Sequence, residues 1–170
     1  MAGASGSAVD RAVANAREAL ALGAGPQARV WEIGRMRASA RSFLLVIFGP
    51  PEHSVGIAAV DLPSGDVLQR ARLPGVGSHN VMPAEEAMKR ANFPPGSRAQ
   101  LVWDPTPASR SPFYPLWQIS DADRRVGVDG VRGTVWKTLA PAQDRRGGGH
   151  ASRRATRRAV GHPTSGRALG

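Results

Sequence analysis

Two stretches decide the fold: VDLPSGDVL at residues 60–68 and VDGVRGTVW at residues 128–136. Each writes Val-Asp, three residues, Gly, one residue, Val. Each reads as one strand turning back into the next. Asp61 and Asp129 end strands, where a short carboxylate accepts hydrogen bonds from turn N–H groups. Gly65 and Gly133 supply a positive φ at no steric cost.

Outward from these hairpins the chain divides into similar halves. Ser7 is placed as a helix cap and Asp10 in the first turn. Val9, Ala12, Val13, Ala16, Ala19 and Leu20 then recur at helical spacing. Gly23, Gly25 and Pro26 stop the helix. Residues 28–33 read as a strand, 35–42 as a basic loop. The run FLLVIF at 43–48 is apolar throughout, as a strand covered on both faces must be. Residues 55–61 and 66–73 form the first hairpin. The second half repeats the order. MPAEEAMKRA at 82–91 suits a helix with carboxylates in its first turn, and Glu86 with Arg90 is an i,i+4 pair. Strands are expected at 98–103, at 113–120 with Phe113, Pro115, Trp117 and Ile119 on one face, and at 124–129 and 134–139.

Placed side by side, the halves align by offset. Ala12 and Ala16 match Ala87 and Ala91 at 75, Trp31 matches Trp103 at 72, and Phe43 matches Phe113 at 70. Val60, Asp61, Gly65 and Val67 match their counterparts at 68. A duplicated helix-plus-strands unit explains this order; chance similarity of two Ala- and Arg-rich hairpins is the alternative.

Each half resembles a PepSY domain. MPAEEAMKRA, FYPLWQIS and RVGVDGVRGTVW carry the likeness in the second half, and AVDRAVANA with VGIAAVDLPSGDVL in the first. The resemblance implies an α+β sandwich that binds a peptide or protein, and it implies no catalytic residue. The expected organisation is a flexible N-terminus at 1–6, one PepSY-like unit at 7–73, a linker at 74–81, a second unit at 82–139 and a disordered Arg-rich tail at 140–170.

Charge and composition narrow the function. The net charge is +10, and residues 141–170 hold seven Arg against one Asp, so most of the excess lies in the tail. That segment lacks large apolar side chains and cannot offset its ordering entropy. Its Arg pairs offer non-specific contact with nucleic-acid phosphates, without any groove-reading element. The chain has no Cys, which excludes disulfides, thiolate metal sites and thiol catalysis. His53, His79, His150 and His162 are scattered, so no metal site and no cofactor are expected. The N-terminus shows no apolar leader, and the expected compartment is the cytoplasm, with no membrane partner.

The remaining candidates are aromatic. Trp103, Phe113, Tyr114, Trp117 and Trp136 crowd the second half, with Arg110 and Arg124 nearby in sequence. They read either as core or as a binding surface for a peptide, a protein partner or a small hydrophobic ligand. The Arg residues would favour a carboxylate-bearing partner. A small enzyme with an aromatic pocket but no recognisable motif is the alternative. Replacing Trp117 by Ala separates core from surface. A core Trp costs about 3–5 kcal/mol on a melting curve; a surface Trp leaves the melting midpoint in place while partner binding is lost.

Overall fold

The computed structural model describes residues 6–37, 40–75 and 78–137; the Arg-rich tail lies outside them. The fold is α+β, with two helices and two antiparallel four-stranded sheets. In the first half α1 (Gly6–Ala19) precedes β1 (Ala28–Ile33), β2 (Phe43–Phe48), β3 (Gly56–Asp61) and β4 (Val67–Arg72). In the second, α2 (Ala84–Arg90) precedes β5 (Arg98–Val102), β6 (Leu116–Ser120), β7 (Arg125–Asp129) and β8 (Val135–Trp136). Each sheet is a simple meander in chain order.

The two quoted stretches form the same turn. The Gly65 N–H donates to the Asp61 carbonyl at 2.9 Å, and the Gly133 N–H to the Asp129 carbonyl at 2.8 Å. The two glycines share a φ of 78° and 77°. Asp61 Oδ2 accepts the Ser64 N–H and hydroxyl, and Asp129 Oδ1 accepts the N–H groups of Val131 and Arg132. The carboxylates therefore serve their own turns. These turn bonds hold the Asp61 carboxyl below the usual carboxylate range.

The first helix differs from expectation at its start, whereas the second has Glu85 and Glu86 in its first turn as expected. α1 begins at Gly6, so Ser7 lies inside the first turn and Asp10 in the second. α2 forms the Glu86–Arg90 ion pair at 2.7 Å. Ala12 and Ala16 on α1, and Ala87 on α2 with Ala91 just past its end, are the buried positions that let each helix lie close to its sheet.

Pairing register revises the aromatic matches. Phe43 sits opposite Asp61, and Leu116 sits opposite Asp129, so the counterpart of Phe43 is Leu116, at an offset of 73. Ile33 pairs with Phe43 and Val102 with Leu116, which makes Val102 the counterpart of Ile33 at an offset of 69. Trp31 and Trp103 are not equivalent, nor are Phe43 and Phe113. The expected strand over 113–120 begins only at Leu116. Pro112 and Pro115 lack the N–H a ladder needs, and the Ser109 hydroxyl instead binds the carbonyls of Ser111 and Tyr114.

The sheets join edge to edge. Gly34, just past β1, forms a parallel bridge with Val102 on β5. Its N–H donates to Leu101 O and its carbonyl accepts from Trp103 N, both at 2.9 Å. Ile33 and Leu101 thus lie on one face of the joined sheet. On the first sheet that face points away from α1, since α1 packs on Leu44, Val46, Phe48, Ala58 and Val60. On the second it carries Trp117, Ile119 and Val128, the side covered by α2. The helices therefore occupy opposite faces. Between them lies a shared core of Ile33, Phe43, Leu45, Ile47, Ile57 and Ala59 from the first half with Val81, Leu101 and Trp103 from the second. This explains why FLLVIF is buried at all six positions.

Asp104 fastens the joint. Its Oδ2 accepts the N–H groups of Met36 and Arg37, at 2.8 and 3.1 Å. The side chain is buried, so removing it leaves two N–H groups without their acceptor. Asp104→Ala is expected to lower the unfolding free energy by about 1–3 kcal/mol. Asp104→Asn keeps an acceptor and is expected to lose less. Urea unfolding of both variants checks the order.

Candidate ligand-binding sites at the sheet junction

The end of the connector, residues 79–81, packs against the halves it joins. Val81 belongs to the shared core, and His79 is buried. Arg29 on β1 holds this segment: Nη1 donates to Asn80 Oδ1 and Nη2 to the His79 carbonyl at 3.3 Å. His79 Nε2 lies 2.7 Å from the Phe113 carbonyl, so that nitrogen carries the proton. Loss of hydration on burial pushes the imidazole below the ordinary histidine value; the Phe113 carbonyl works in the opposite direction.

Above the Gly34 bridge, β1 and β5 diverge. The gap is a cleft of about 460 Å³. Trp31, Leu101 and Trp117 form its apolar wall, Ala84 from the start of α2 closes one end, and Glu32 and Gln100 stand at its polar side. The Trp117 indole is fixed by donating to Met82 O at 2.9 Å. Trp31 and Trp117 are both half-buried, so each presents ring surface to the gap while remaining anchored in packing.

A second recess lies on the shared face toward β4. Phe43 and Trp103 meet edge to face at 6.1 Å. The Arg35 guanidinium lies over both, 4.9 Å from the Phe43 centroid and 5.0 Å from Trp103. A β-bulge in the β3–β4 ladder inserts Leu68 as an extra residue, and Leu68 borders the same recess.

The sequence-derived candidates are thus distributed rather than gathered. Trp103 is 9% exposed and donates its indole N–H to Ser109 Oγ. Phe113 packs on the shared core. Tyr114 lies 5.1 Å from His79 with Arg132 over its ring, and shares a shallow surface recess with Arg110. Trp136 ends β8, half-buried, its indole N–H without a partner among the described residues. Arg124 does not join the aromatic group: it covers Phe93 at 4.0 Å, pairs with Asp121 at 3.2 Å and donates to the Asn92 carbonyl. Trp31, Arg35 and Leu68 line cavities that the sequence did not assign to them. The residue types were suggestive, but only the β1–β5 joint brings them opposite the second half.

Among the described residues no group of three or more His, Asp and Glu side chains could hold a metal ion, and no helix is long and apolar enough to cross a membrane. No family model matches the sequence. No curated protein matches it either. Among solved structures, a "putative lipoprotein" from Clostridium difficile 630 overlaps 66% of this chain and 80% of its own, at 16% identity and a TM-score of 0.24.

His79 makes stability depend on pH. Its folded-state affinity for a proton is depressed, so below the ordinary value of about 6.5 the unfolded chain takes up a proton that the native chain refuses. Stability is then complete above that value and declines as pH falls through it. Arg29 and Arg132 disfavour the imidazolium and Asp129 favours it. Unfolding titrations between about pH 7.5 and 5 are expected to show this decline, and His79→Gln is expected to flatten it.

Proposed function

We propose that this chain is a non-catalytic binding protein, built from two PepSY-like units in tandem, that holds an extended apolar peptide segment of a partner in the cleft between β1 and β5. The tandem reading is supported by the matching Asp-Gly turns and by the buried Ala pair that each half places on or just past its helix. The PepSY resemblance brings peptide or protein binding with it as an expectation.

The observation that carries the binding reading is the cleft itself. Where strands separate, their facing backbone groups lose each other as partners. Backbone groups alternate sides along a strand. Since Gly34 faces β5 and Leu101 O faces β1, the N–H and C=O of Glu32 and of Ala99 are aimed into the gap. A chain entering there meets donors and acceptors on both sides, with Trp31 and Trp117 available to cover its apolar side chains. Rigid, half-buried Trp residues contribute contact area at little entropic cost. A small hydrophobic ligand in the same cleft is the second reading, favoured by the apolar wall alone.

A displayed random-peptide library tests the proposal. Enriched peptides are expected to be extended and apolar at alternate positions. Ala84→Lys, at the cleft's end on a half-buried helix start, is expected to weaken them by roughly tenfold or more with an unchanged melting midpoint. Absence of enrichment, or binding indifferent to this substitution, counts against the reading.

A further inference from the structure

We infer that the recess under Arg35 is a separate binding site for a small carboxylic acid with a flat apolar body, of the size of an aryl-acetate. It shares no lining residue with the β1–β5 cleft, and it stands whether or not that cleft binds a peptide.

Size comes first. The recess measures about 240 Å³. An apolar cavity of roughly 150 Å³ accepts benzene, so this one accommodates a ring and a short acidic arm. Its floor is Phe43 and Ala59 on the first sheet, and Trp103 and Leu68 form walls. Phe43, Ala59 and Trp103 are almost fully buried beneath it. Leu68 is 54% exposed, a large aliphatic side chain on the edge strand β4. Bulges re-aim side chains, and this one adds Leu68 at the edge of the recess.

Charge comes second. Among the described residues lining the recess, Arg35 is the one with an ionised side chain. Its guanidinium has five N–H donors. Nε donates to Arg41 O at 3.2 Å. Asp104 forms an ion pair with it but no hydrogen bond: Oδ1 lies 3.8 Å from Nη1, while Oδ2 is committed to two backbone N–H groups. The terminal nitrogens make no hydrogen bond among the described residues, although the side chain is only 20% exposed. Two aromatic faces hold the guanidinium in place. A pre-positioned planar fork with free donors above an apolar recess matches a carboxylate bidentately and its hydrocarbon body at once.

Calorimetric titration of the full chain at neutral pH with phenylacetate, and with phenylacetamide as its neutral counterpart, tests the site. Phenylacetate is expected to bind at least tenfold more tightly than the amide, the difference a charge-assisted pair provides. Leu68 methyl and Trp103 indole resonances are expected to shift on its addition. Arg35→Gln is expected to reduce the acid to the amide's affinity. Because Arg35 also bridges the two halves, Leu68→Glu provides a second variant at an exposed position: a like charge at the recess is expected to expel the acid and leave the melting midpoint in place. Equal affinity for acid and amide, no heat from either at about millimolar concentration, or acid binding that survives Leu68→Glu would each overturn the inference.

Discussion

The architecture depends on one glycine making two hydrogen bonds. Gly34 gives its N–H to Leu101 and takes the N–H of Trp103, and this single parallel bridge converts two meanders into a joined sheet. A Cβ added here would stand 2.8 Å from the Gln100 side-chain Nε2, the movable end of a flexible side chain, so it is the backbone bonds of Gly34 rather than its missing side chain that make the joint. The contact has a directional consequence. Equivalent edge strands paired in parallel must present opposite faces, so α1 and α2 cannot cover the same side. Each helix then leaves one face of the joined sheet to be covered by something else.

On the first sheet that something is the second half. Phe43, Leu45, Ile47, Ile57 and Ala59 turn away from α1 and would be bare if the first unit stood alone. Val81, Leu101 and Trp103 cover them, and the connector is drawn in by Arg29 to complete the cover. Burial of several large aliphatic and aromatic side chains in this shared core, each contributing on the order of 1.5–3 kcal/mol, ties the two halves together far more strongly than the bridge does. The bridge sets geometry; the apolar seam supplies stability.

Local rules made much of this legible. Helix spacing, the Gly-Pro stops and the Asp-Gly turns placed the helices and most strands to within a residue or two, because those signals are short-range. The duplicated turn was readable for the same reason: positive φ and an N–H-accepting carboxylate are written in five consecutive residues. Register between halves was not readable. The loop after β1 runs from 34 to 42 and that after β5 from 103 to 115, while the loop after β2 is longer than that after β6. Those differences offset one another, so Phe113 fell near the place of Phe43 in the alignment although Leu116 holds it in space. Aromatic identity is a poor marker of register where one loop carries two prolines. The site suffered likewise: Arg35 reads as one more basic loop residue until Trp103, from the other half, is laid beside it.

Both cavities lie along the joint, and this follows from how the joint is made. A continuous parallel ladder between β1 and β5 would have closed the gap at Glu32 and Ala99. A single bridge cannot, because no further ladder bond among the described residues holds the two edges together beyond the contact. On one side of Gly34 the divergence leaves Trp31 and Trp117 facing across open space. On the other, the chain leaves the ladder at Arg35, and its guanidinium rests on Phe43 and Trp103, one ring from each half. Joining two sheets at one point therefore creates apolar surface that neither sheet can finish covering. Lengthening the bridge would remove both recesses together, whereas a substitution confined to one recess leaves the other intact.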